Sequence, residues 1–411
     1  MGSNTFTFLY PYIDKMIQEV DFENCAPMVV FDKDVDPAGG LTGRIPRTYK
    51  NVAAAFTPSM YVTSGSAVTV SGINYTVDQS YVSKVSLTFD EGLALGSRMN
   101  DTVGAQVQEA VRAILKAMNS GFYASGTVGG YYRPGISNAV GTAGTTPLAT
   151  PWADIINVNT ALERNMCPQD GRVGILDLAA WSNILNATGL TNFYASNSDA
   201  TLRSAKVGRL FNFDVVNDQL VPVRTVVSSG FTGEYCFSGT LASGDLFAYM
   251  FTSGCVGATG VTPAVGDIFW FTGIGNGSAA VASTGYGQSF VITSGTVYAE
   301  TGAGKGIAQY FYPRFPGSGT TLGNIVWAHY SGNQRRNVFG HKSAMRLVMR
   351  DPRQGMAGMP QIGESVLYTD PKTQVPVLVT FIPGNGMVTI EVRAIWTWVC
   401  VKPEWACILQ G

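Results

Sequence analysis

The chain has 411 residues, of which 45% are hydrophobic and 13% are charged, and its formal net charge is −1. This length exceeds what one hydrophobic core usually supports, so more than one domain is expected. The charged fraction is far below the roughly 25% of typical soluble domains, which indicates either a surface that partners cover or a glycine-rich extracellular β-protein. A charge so close to zero excludes a global basic field that would drive tight binding to nucleic acid.

The sequence predicts neither secretion nor a membrane span. Residues 1–20 lack a basic start, a sustained apolar run and a small-residue cleavage site. No stretch approaches the roughly 18 apolar residues that a membrane helix needs. The cysteines show no CxxC spacing, which favours buried reduced thiols in a cytosol-folded protein, with disulfides as the alternative. They are Cys25, Cys167, Cys236, Cys255, Cys400 and Cys407.

The first ninety residues predict elements that cannot fold alone. A short helix is expected over Tyr12–Val20, followed by an extended polar arm from Asp21 to about Arg47. Alternating Val, Tyr, Thr and Ser residues over Met60–Phe89 then predict a β-hairpin or long β-loop. Isolated hairpins are marginal in water, so arm and loop are expected to reach onto neighbouring molecules.

A long amphipathic helix is predicted from about Thr102 to Ser120. Asn100 or Asp101 is a suitable N-cap, and Gly121 is expected to end the helix. One helical face carries the apolar stripe of Val103, Val107, Ala110, Val111, Ile114, Leu115 and Met118.

Shorter elements follow a glycine- and threonine-rich loop over 126–146. Thr150 and Pro151 mark the start of a helix that runs to about Arg164. Residues 172–176 predict a short buried strand, and Asp177 is expected to cap a helix that runs through Asn186.

A long interruption then separates two framework segments. Residues 208–216 predict a strand, after which Val226–Asn333 carry few charges: Glu234, Asp245, Asp267, Glu300, Lys305 and Arg314. This stretch is expected to be a β-rich domain inserted into a loop whose two ends lie close together. Framework character returns at Arg335, and strands are predicted over 375–381 and 386–401, joined by the turn Pro383–Gly386. The framework is therefore expected to be α+β with an antiparallel sheet.

The residues best suited to catalysis do not form a recognisable site. His329 lies in an apolar run, which is typical of a core or interface histidine. His341 precedes Lys342 and Ser343 without a nucleophile elbow or a matching carboxylate pattern.

Two motifs that suggest ligand binding are incomplete. Asp32, Asp34 and Asp36 resemble the start of a calcium loop. However, Pro37 stands where such a loop has its turn glycine, and Gly43 stands where it has its final glutamate. Residues 302–306 (GAGKG) lack the spacing of a phosphate loop and fit a hairpin tip better. The sequence therefore predicts no enzyme, and no catalytic, cofactor-binding or metal-binding residues.

Several segments, taken in chain order, carry a family resemblance: KVGRLFNFDVVNDQLVPVRT at 206–225, GDIFWF at 266–271, QSFVI at 288–292, NVFGHK at 337–342 and VKPEWA at 401–406. In this order they resemble the major capsid proteins of tailed bacteriophages, which have the Hong Kong 97-type fold. The resemblance is greatest to podovirus-type coat proteins with an extra inserted β-domain.

The resemblance implies five parts in the order of that fold. These are an N-terminal helix and arm (1–56), an extended β-loop (57–90), a spine helix with the first part of the peripheral and axial core (91–225), an inserted β-domain (226–333) and the remaining core (334–411). It does not imply a covalent cross-link here, because nothing identifies a partner for Lys84, the lysine of the predicted loop.

As function, the resemblance implies a coat protein that self-assembles through hexamers and pentamers into an icosahedral shell around double-stranded DNA. The implied partners are scaffolding and portal proteins, decoration proteins and weakly held DNA, without a membrane. The implied location is the virion capsid, after folding in the host cytoplasm. A secreted or fibre-type β-rich adhesin is the alternative that the Gly/Thr-rich composition suggests, and a hydrolase is a third reading without a catalytic constellation.

Overall fold

The structure is a computed structural model that describes residues 25–35, 42–48, 70–95, 99–123, 136, 138–141, 147–148, 151–186, 209–221, 223–224, 234–238, 240–241, 247–251, 268–272, 290–297, 306–312, 320–321, 326–330, 334–353, 364–369 and 374–410. The helices are α1 (Ala26–Val30), α2 (Phe89–Leu95), α3 (Met99–Tyr123), α4 (Pro151–Arg164) and α5 (Leu178–Leu185). The strands before the low-charge stretch are β1 (Asp32–Val35), β2 (Thr42–Thr48), β3 (Val70–Thr76), β4 (Gln79–Thr88), β5 (Asn138–Val140), β6 (Arg172–Leu176), β7 (Arg209–Leu210), β8 (Phe213–Asn217) and β9 (Val223–Arg224).

Within the low-charge stretch the strands are β10 (Glu234–Ser238), β11 (Thr240–Leu241), β12 (Phe247–Phe251), β13 (Ile268–Thr272), β14 (Phe290–Val297), β15 (Gly306–Tyr312), β16 (Thr320–Thr321) and β17 (Val326–Tyr330). After it come β18 (Gln334–His341), β19 (Met345–Arg350), β20 (Glu364–Thr369), β21 (Pro376–Gly384), β22 (Met387–Cys400) and β23 (Ala406–Gln410). This mixture of helices and largely antiparallel sheets confirms the predicted α+β class.

The central sheet is built around β22. Its order is β1-β19-β22-β21-β20, and β4 also pairs with β22. The turn from β21 to β22 consists of Asn385 and Gly386, and Gly386 has φ of 75°. Because glycine adopts this left-handed conformation without steric strain, the sequence signal for a hairpin here was reliable, and the predicted pair of strands is confirmed.

The long helix α3 covers one face of the central sheet, and its predicted apolar stripe is buried. Trp398 of β22 packs edge-on against Phe122, with ring centroids 5.0 Å apart, and its Nε1 donates to the Met118 carbonyl at 2.9 Å. The prediction that Gly121 ends the helix was wrong, because α3 continues to Tyr123. A buried aromatic ring such as Phe122 contributes roughly 2 kcal/mol, which outweighs the roughly 1 kcal/mol that a glycine costs inside a helix.

The second sheet has the order β5-β23-β18-β6-β8-β7, with β9 also paired to β18. Helices α4 and α5 contribute Ile155, Val158, Leu162 and Ile184 to a separate core on this sheet. The predicted bounds of α4 and β6 are confirmed, and Asp177 caps α5 as predicted, since its carboxylate accepts from the backbone N–H groups of Ala179 and Ala180.

Three sequence-based expectations for this sheet were wrong. The single strand predicted over 208–216 is replaced by two strands, because the chain reverses at Phe211–Asn212 between β7 and β8. The predicted loop at 126–146 contains β5, which pairs in parallel with β23. The closing segment leads through a 3-10 turn at Pro403–Trp405 into β23, a strand that the sequence analysis missed.

The low-charge stretch contains a closed barrel of strands in the order β10-β12-β15-β14-β13-β17. Every neighbouring pair is antiparallel, and β10 closes the barrel by pairing with both β12 and β17. Closure removes the free strand edges that would otherwise recruit another chain. The described barrel runs from Glu234 to Tyr330, whereas the predicted limits at 226 and 333 lie outside the described residues.

The extended β-loop is arranged differently from the predicted hairpin over 60–89. Strand β3 pairs with β2, which comes from the predicted arm, while β4 pairs over ten residues with β22. The β2–β3 ribbon packs on the central sheet opposite α3, where Ile45 joins a small core with Val348, Val399 and Val401. The correct partners are remote in sequence, so alternation within 60–89 could not reveal them.

The predicted arm is also partly integrated into its own subunit. Cys25, Ala26, Met28 and Phe31 belong to the same core as α3, and the ring of Phe31 stacks on Phe122 at 5.3 Å. Strand β1 then pairs in parallel with β19. The expectation of an arm without its own packing was therefore wrong for residues 25–35, and the predicted helix at 12–20 lies outside the described residues.

Candidate functional site

His341, the last residue of β18, is part of a buried turn between the two sheets. Its Nδ1 accepts the backbone N–H of Ser343 at 3.1 Å and lies 2.6 Å from the Ser343 Oγ. Its ring meets Trp405 edge-on, with centroids 5.5 Å apart. Burial lowers the pKa of His341, so its neutral form is favoured at pH 7. These contacts hold the turn in place and give the ring a structural role.

Two further sequence features, His329 and the GAGKG motif, fall in the low-charge stretch of the chain. His329 is on β17, in backbone register with Glu234 of β10 and Trp270 of β13. Of the GAGKG motif, only Gly306 falls within the described residues, at the start of β15. Residues 302–305 lie outside the described residues.

The acidic residues of the calcium-like motif lie on a strand. Asp32 and Asp34 belong to β1, and the Asp34 carboxylate lies 3.3 Å from Arg346 of the neighbouring β19. Asp36 lies outside the described residues. In the described part of the chain, no group of three or more His, Cys, Asp or Glu side chains is arranged to hold a metal ion.

The described cysteine side chains are buried thiols: Cys25, Cys167, Cys400 and Cys407. Burial raises the pKa of both Cys167 and Cys407, so these sulfurs remain protonated and unreactive. They act as small apolar core residues. In the described part of the chain, no helix combines the length and apolarity needed to cross a bilayer.

Lys84 does not lie in the extended loop, as the sequence suggested, but on β4 in the central sheet. It stands opposite Glu391 of β22, with Nζ 3.4 Å from Oε2, while Arg393 holds the other carboxylate oxygen at 2.9 Å. This row of charges lies beside the part of the sheet face that the β2–β3 ribbon covers. Lys84 is therefore engaged within its own subunit.

Among the described residues, the most exposed large apolar side chain lies on helix α2, which follows β4. Phe89 is 63% and Leu93 is 84% exposed, and Met387 is 40% exposed on the adjoining strand. The Phe89 N–H donates to the Gly386 carbonyl at 3.0 Å, which places the helix beside the turn of the β21–β22 hairpin. We name the side chains of Phe89, Leu93 and Met387 the hairpin-end patch.

Local hydrogen bonds hold α2 in shape. The Thr88 N–H donates to the Glu91 carboxylate at 2.9 Å, and the Glu91 N–H donates to the Thr88 hydroxyl at 3.3 Å. This reciprocal pair is a capping box, and the spacing Thr88-x-x-Glu91 was the sequence signal that could have revealed the helix. The described apolar side chains of the helix, Phe89, Leu93 and Ala94, are all exposed, so these bonds hold the helix without burying them.

The carboxylate of Asp218 is buried where the chain leaves β8 towards the barrel, and sequence reasoning also missed it. We call this segment after β8, and the segment by which the chain returns to β18, the roots of the barrel. Asp218 accepts from the Tyr123 hydroxyl at 2.7 Å and from the Asn119 amide at 2.9 Å, both on the last turns of α3. Its other oxygen accepts from the Leu220 N–H at 2.8 Å. An aspartate that bonds the backbone two residues ahead is an Asx-turn, so its position after β8 was an available signal.

No protein-family profile and no curated protein sequence matches this chain. Among solved structures, it is similar to the cyanophage A-1(L) capsid asymmetric unit, with 11% identity, 94% of this chain and 92% of that chain covered, and a TM-score of 0.49. It is similar to the capsid structure of the cyanophage P-SCSP1u, with 11% identity, coverage of 95% and 88%, and a TM-score of 0.46. A third similarity is to the asymmetric unit of the bacteriophage PhiM1 mature capsid, with 10% identity, coverage of 93% and 86%, and a TM-score of 0.44. Because each TM-score is below 0.5, these similarities alone establish neither fold family nor function, and we rest the proposal on the architecture of the chain itself.

Proposed function

We propose that this chain is a major capsid protein of the Hong Kong 97 type, which self-assembles into the icosahedral shell around the double-stranded DNA of a tailed phage. The observation that carries the proposal is the order of parts along the chain. A two-stranded ribbon precedes a 25-residue helix on a central sheet, and a second sheet then carries an inserted barrel. This is the order that the sequence resemblance implies.

Two exposed features support self-association. The hairpin-end patch leaves Phe89 and Leu93 in water in the single subunit, although covering each such side chain would contribute roughly 1.5–3 kcal/mol. The β2–β3 ribbon is the second feature, because Ile45 packs on the central sheet whereas the described side chains of Arg44, Pro46 and Asn74 are exposed. A closed shell needs repeated contacts between unlike surfaces, and individually weak contacts allow errors to be corrected during assembly.

The barrel is proposed to project from the outer surface of the shell. Its closed sheet leaves no free edge, and the stretch 226–333 has only six charged residues in the sequence. Contacts made by the barrel should therefore use apolar and backbone groups instead of ion pairs. Decoration proteins are the proposed partners on the outside, and scaffolding and portal proteins are the proposed partners during assembly.

Packaged DNA is proposed to touch the inner face weakly. A net charge of −1 supplies no general attraction to phosphate, so isolated Arg and Lys side chains would make the contacts. The proposed location is the virion capsid, after folding in the host cytoplasm. The four buried thiols fit that reducing compartment and count against the secreted adhesin.

The proposal is tested by expressing the full chain in a bacterial host, alone and with a scaffolding protein encoded beside it. Electron microscopy and sedimentation should then show closed shells or capsomers. A folded monomer that forms neither under both conditions would overturn the proposal.

The role of the amino-terminal segment needs a shorter deletion than the sequence alone suggested. Removing residues 1–45 would also remove Phe31 and Ile45, which are buried in the subunit's own cores. Removing residues 1–24 spares both, so we expect the shortened subunit to unfold cooperatively in urea as the full chain does, together with loss of shells. Normal shells from the 1–24 deletion would contradict an assembly role for that segment.

A further inference from the structure

The barrel grows out of two strands that are not neighbours in the second sheet. The chain leaves the sheet after β8 and returns on β18, and β6 lies between these two strands. Beyond Leu176, where β6 ends, the outgoing and returning chains pair directly, with Val223 opposite Arg335 and Arg224 opposite Gln334. We name these two pairs the stem. Two strands about 10 Å apart on either side of β6 thus converge to about 5 Å, the spacing of adjacent strands.

The convergence occurs at one peptide group. The Leu176 carbonyl accepts from the N–H of Asp218, on the outgoing chain, at 2.8 Å. The N–H of the same peptide, which belongs to Asp177, donates to Oδ1 of Asn337, on the returning chain, at 2.6 Å. We infer that the Leu176–Asp177 peptide is a clamp that holds both roots of the inserted barrel in a fixed position on the framework.

The chemistry of Asn337 supports a dedicated role in this clamp. Asp177 is the N-cap of α5, and a capping box would satisfy its N–H with a Glu or Gln three residues later, where this chain has Ala180. Asn337 supplies that acceptor from another strand. Its side chain is fully buried, and its Nδ2 has no hydrogen-bond partner within the described residues. A buried donor without a partner is unfavourable, so an apolar side chain would pack better at this position. The asparagine is therefore best explained by the hydrogen bond that its Oδ1 accepts from Asp177.

The outgoing root is also tied to the long helix. The N–H of Asp218 donates to the clamp peptide, and its carboxylate accepts from Tyr123 and Asn119 at the end of α3. The partly buried Leu220 and Val221, which follow, pack against the main core. The clamp therefore links the stem both to β6 and to α3. The stem is thereby held on the framework by both of these elements.

This inference does not depend on the proposed function, because it concerns the single subunit. It is tested by hydrogen exchange on the unassembled full chain, followed at the stem and, as a reference, along β22. The test variant is Asn337→Ala, which removes the acceptor for Asp177. The matched control is Asn138→Ala at the far edge of the same sheet. It removes three side-chain hydrogen bonds, two to the carbonyls of Glu404 and Ala406 and one from the Asn165 amide.

In the wild-type chain we expect stem amides to exchange at least about 100-fold more slowly than in an unfolded chain. Asn337→Ala should accelerate stem exchange about tenfold relative to β22, whereas Asn138→Ala should leave that ratio unchanged. Equal ratios in the two variants, or a wild-type stem as unprotected as unfolded chain, would overturn the clamp.

A second variant keeps the inference testable if Asn337→Ala does not fold. Tyr123→Phe removes only the hydroxyl that donates to Asp218 and preserves the ring in the core. It should accelerate exchange at the outgoing root, over 218–224, about threefold or more, with β22 unaffected. Unchanged exchange at that root would contradict the link between the stem and α3.

Discussion

The two consecutive helices α2 and α3 use their apolar residues in opposite ways. In α3, the side chains from Val103 to Phe122 on one face are buried against the central sheet. In α2, the five side chains that the structure describes are all exposed, including Phe89 and Leu93. One helix is held by packing, and the other by its own capping box.

This difference separates residues that fold the subunit from residues that are free to act outside it. Short helices are marginal in water, so a seven-residue helix that buries none of its described side chains depends on its cap. Keeping Phe89 and Leu93 exposed has no benefit for the isolated subunit. The contrast therefore indicates that α3 supplies stability and that α2 supplies a contact surface.

The largest expected effect is on the packing of α3. Trp398→Ala removes a buried ring that contacts Phe122 and donates to Met118, so the free energy of unfolding should fall by about 3–5 kcal/mol. Leu93→Ala on α2 is the control and should change it by less than about 0.5 kcal/mol. Urea unfolding of the unassembled chain measures both. Comparable losses in the two variants would remove the distinction between the helices.

A smaller and local effect is expected at the cap of α2. Thr88→Ala removes the hydroxyl that accepts from the Glu91 N–H and should weaken the helix by about 1 kcal/mol. Hydrogen exchange of α2 should then be roughly fivefold faster, with α3 unchanged. Ser120→Ala is the control, because that exposed hydroxyl bonds only to carbonyls within α3. Unchanged α2 exchange in Thr88→Ala would show that the cap does not hold the helix.

The comparison also shows which features a sequence reveals. The apolar stripe of α3, the Asp177 cap and the turn at Gly386 were predictable, because each depends on residues a few positions apart. Helix α2 carried a local signal as well, in Thr88 and Glu91, but its short length and its place after a strand hid it.

Features that depend on distant residues were not predictable. Strand β4 alternates as any half-buried strand does, and nothing within it identifies β22 as its partner. The clamp at the barrel roots joins Leu176, Asp218 and Asn337, which no local pattern connects. The end of α3 beyond Gly121 was also missed, because Phe122 is packed against Phe31 and Trp398, which come from distant segments.

Acid should weaken α2 selectively. Hydrogen bonds from the backbone and side chain of Thr88 lower the pKa of Glu91 below its usual value of about 4.3. A carboxyl whose pKa is lower in the folded state stabilises that state fully above its unfolded pKa, and this stabilisation is lost as the pH falls through the folded pKa. Exchange of α2 relative to α3, corrected for intrinsic rates, should therefore rise below about pH 4. In Glu91→Gln, which keeps an acceptor but does not titrate, the ratio should stay flat, and a rise there would assign the effect to another group.

The smallest expected effect on subunit stability belongs to the variant that matters most for assembly. Replacing Phe89 and Leu93 together by alanine keeps good helix formers in α2, and each exposed change should alter the free energy of unfolding by less than about 0.5 kcal/mol. If the hairpin-end patch is covered by a neighbouring subunit, the same change removes roughly 3–6 kcal/mol from every such contact, or about two to four orders of magnitude in its association constant.

Shell yield by sedimentation should therefore collapse while urea unfolding stays near wild type. Asp90→Ala, an exposed change on the same helix, is the control and should assemble normally. Shells at wild-type yield from the double variant would show that α2 faces solvent in the assembly as well. The contact surface would then have to be sought elsewhere, first on the β2–β3 ribbon.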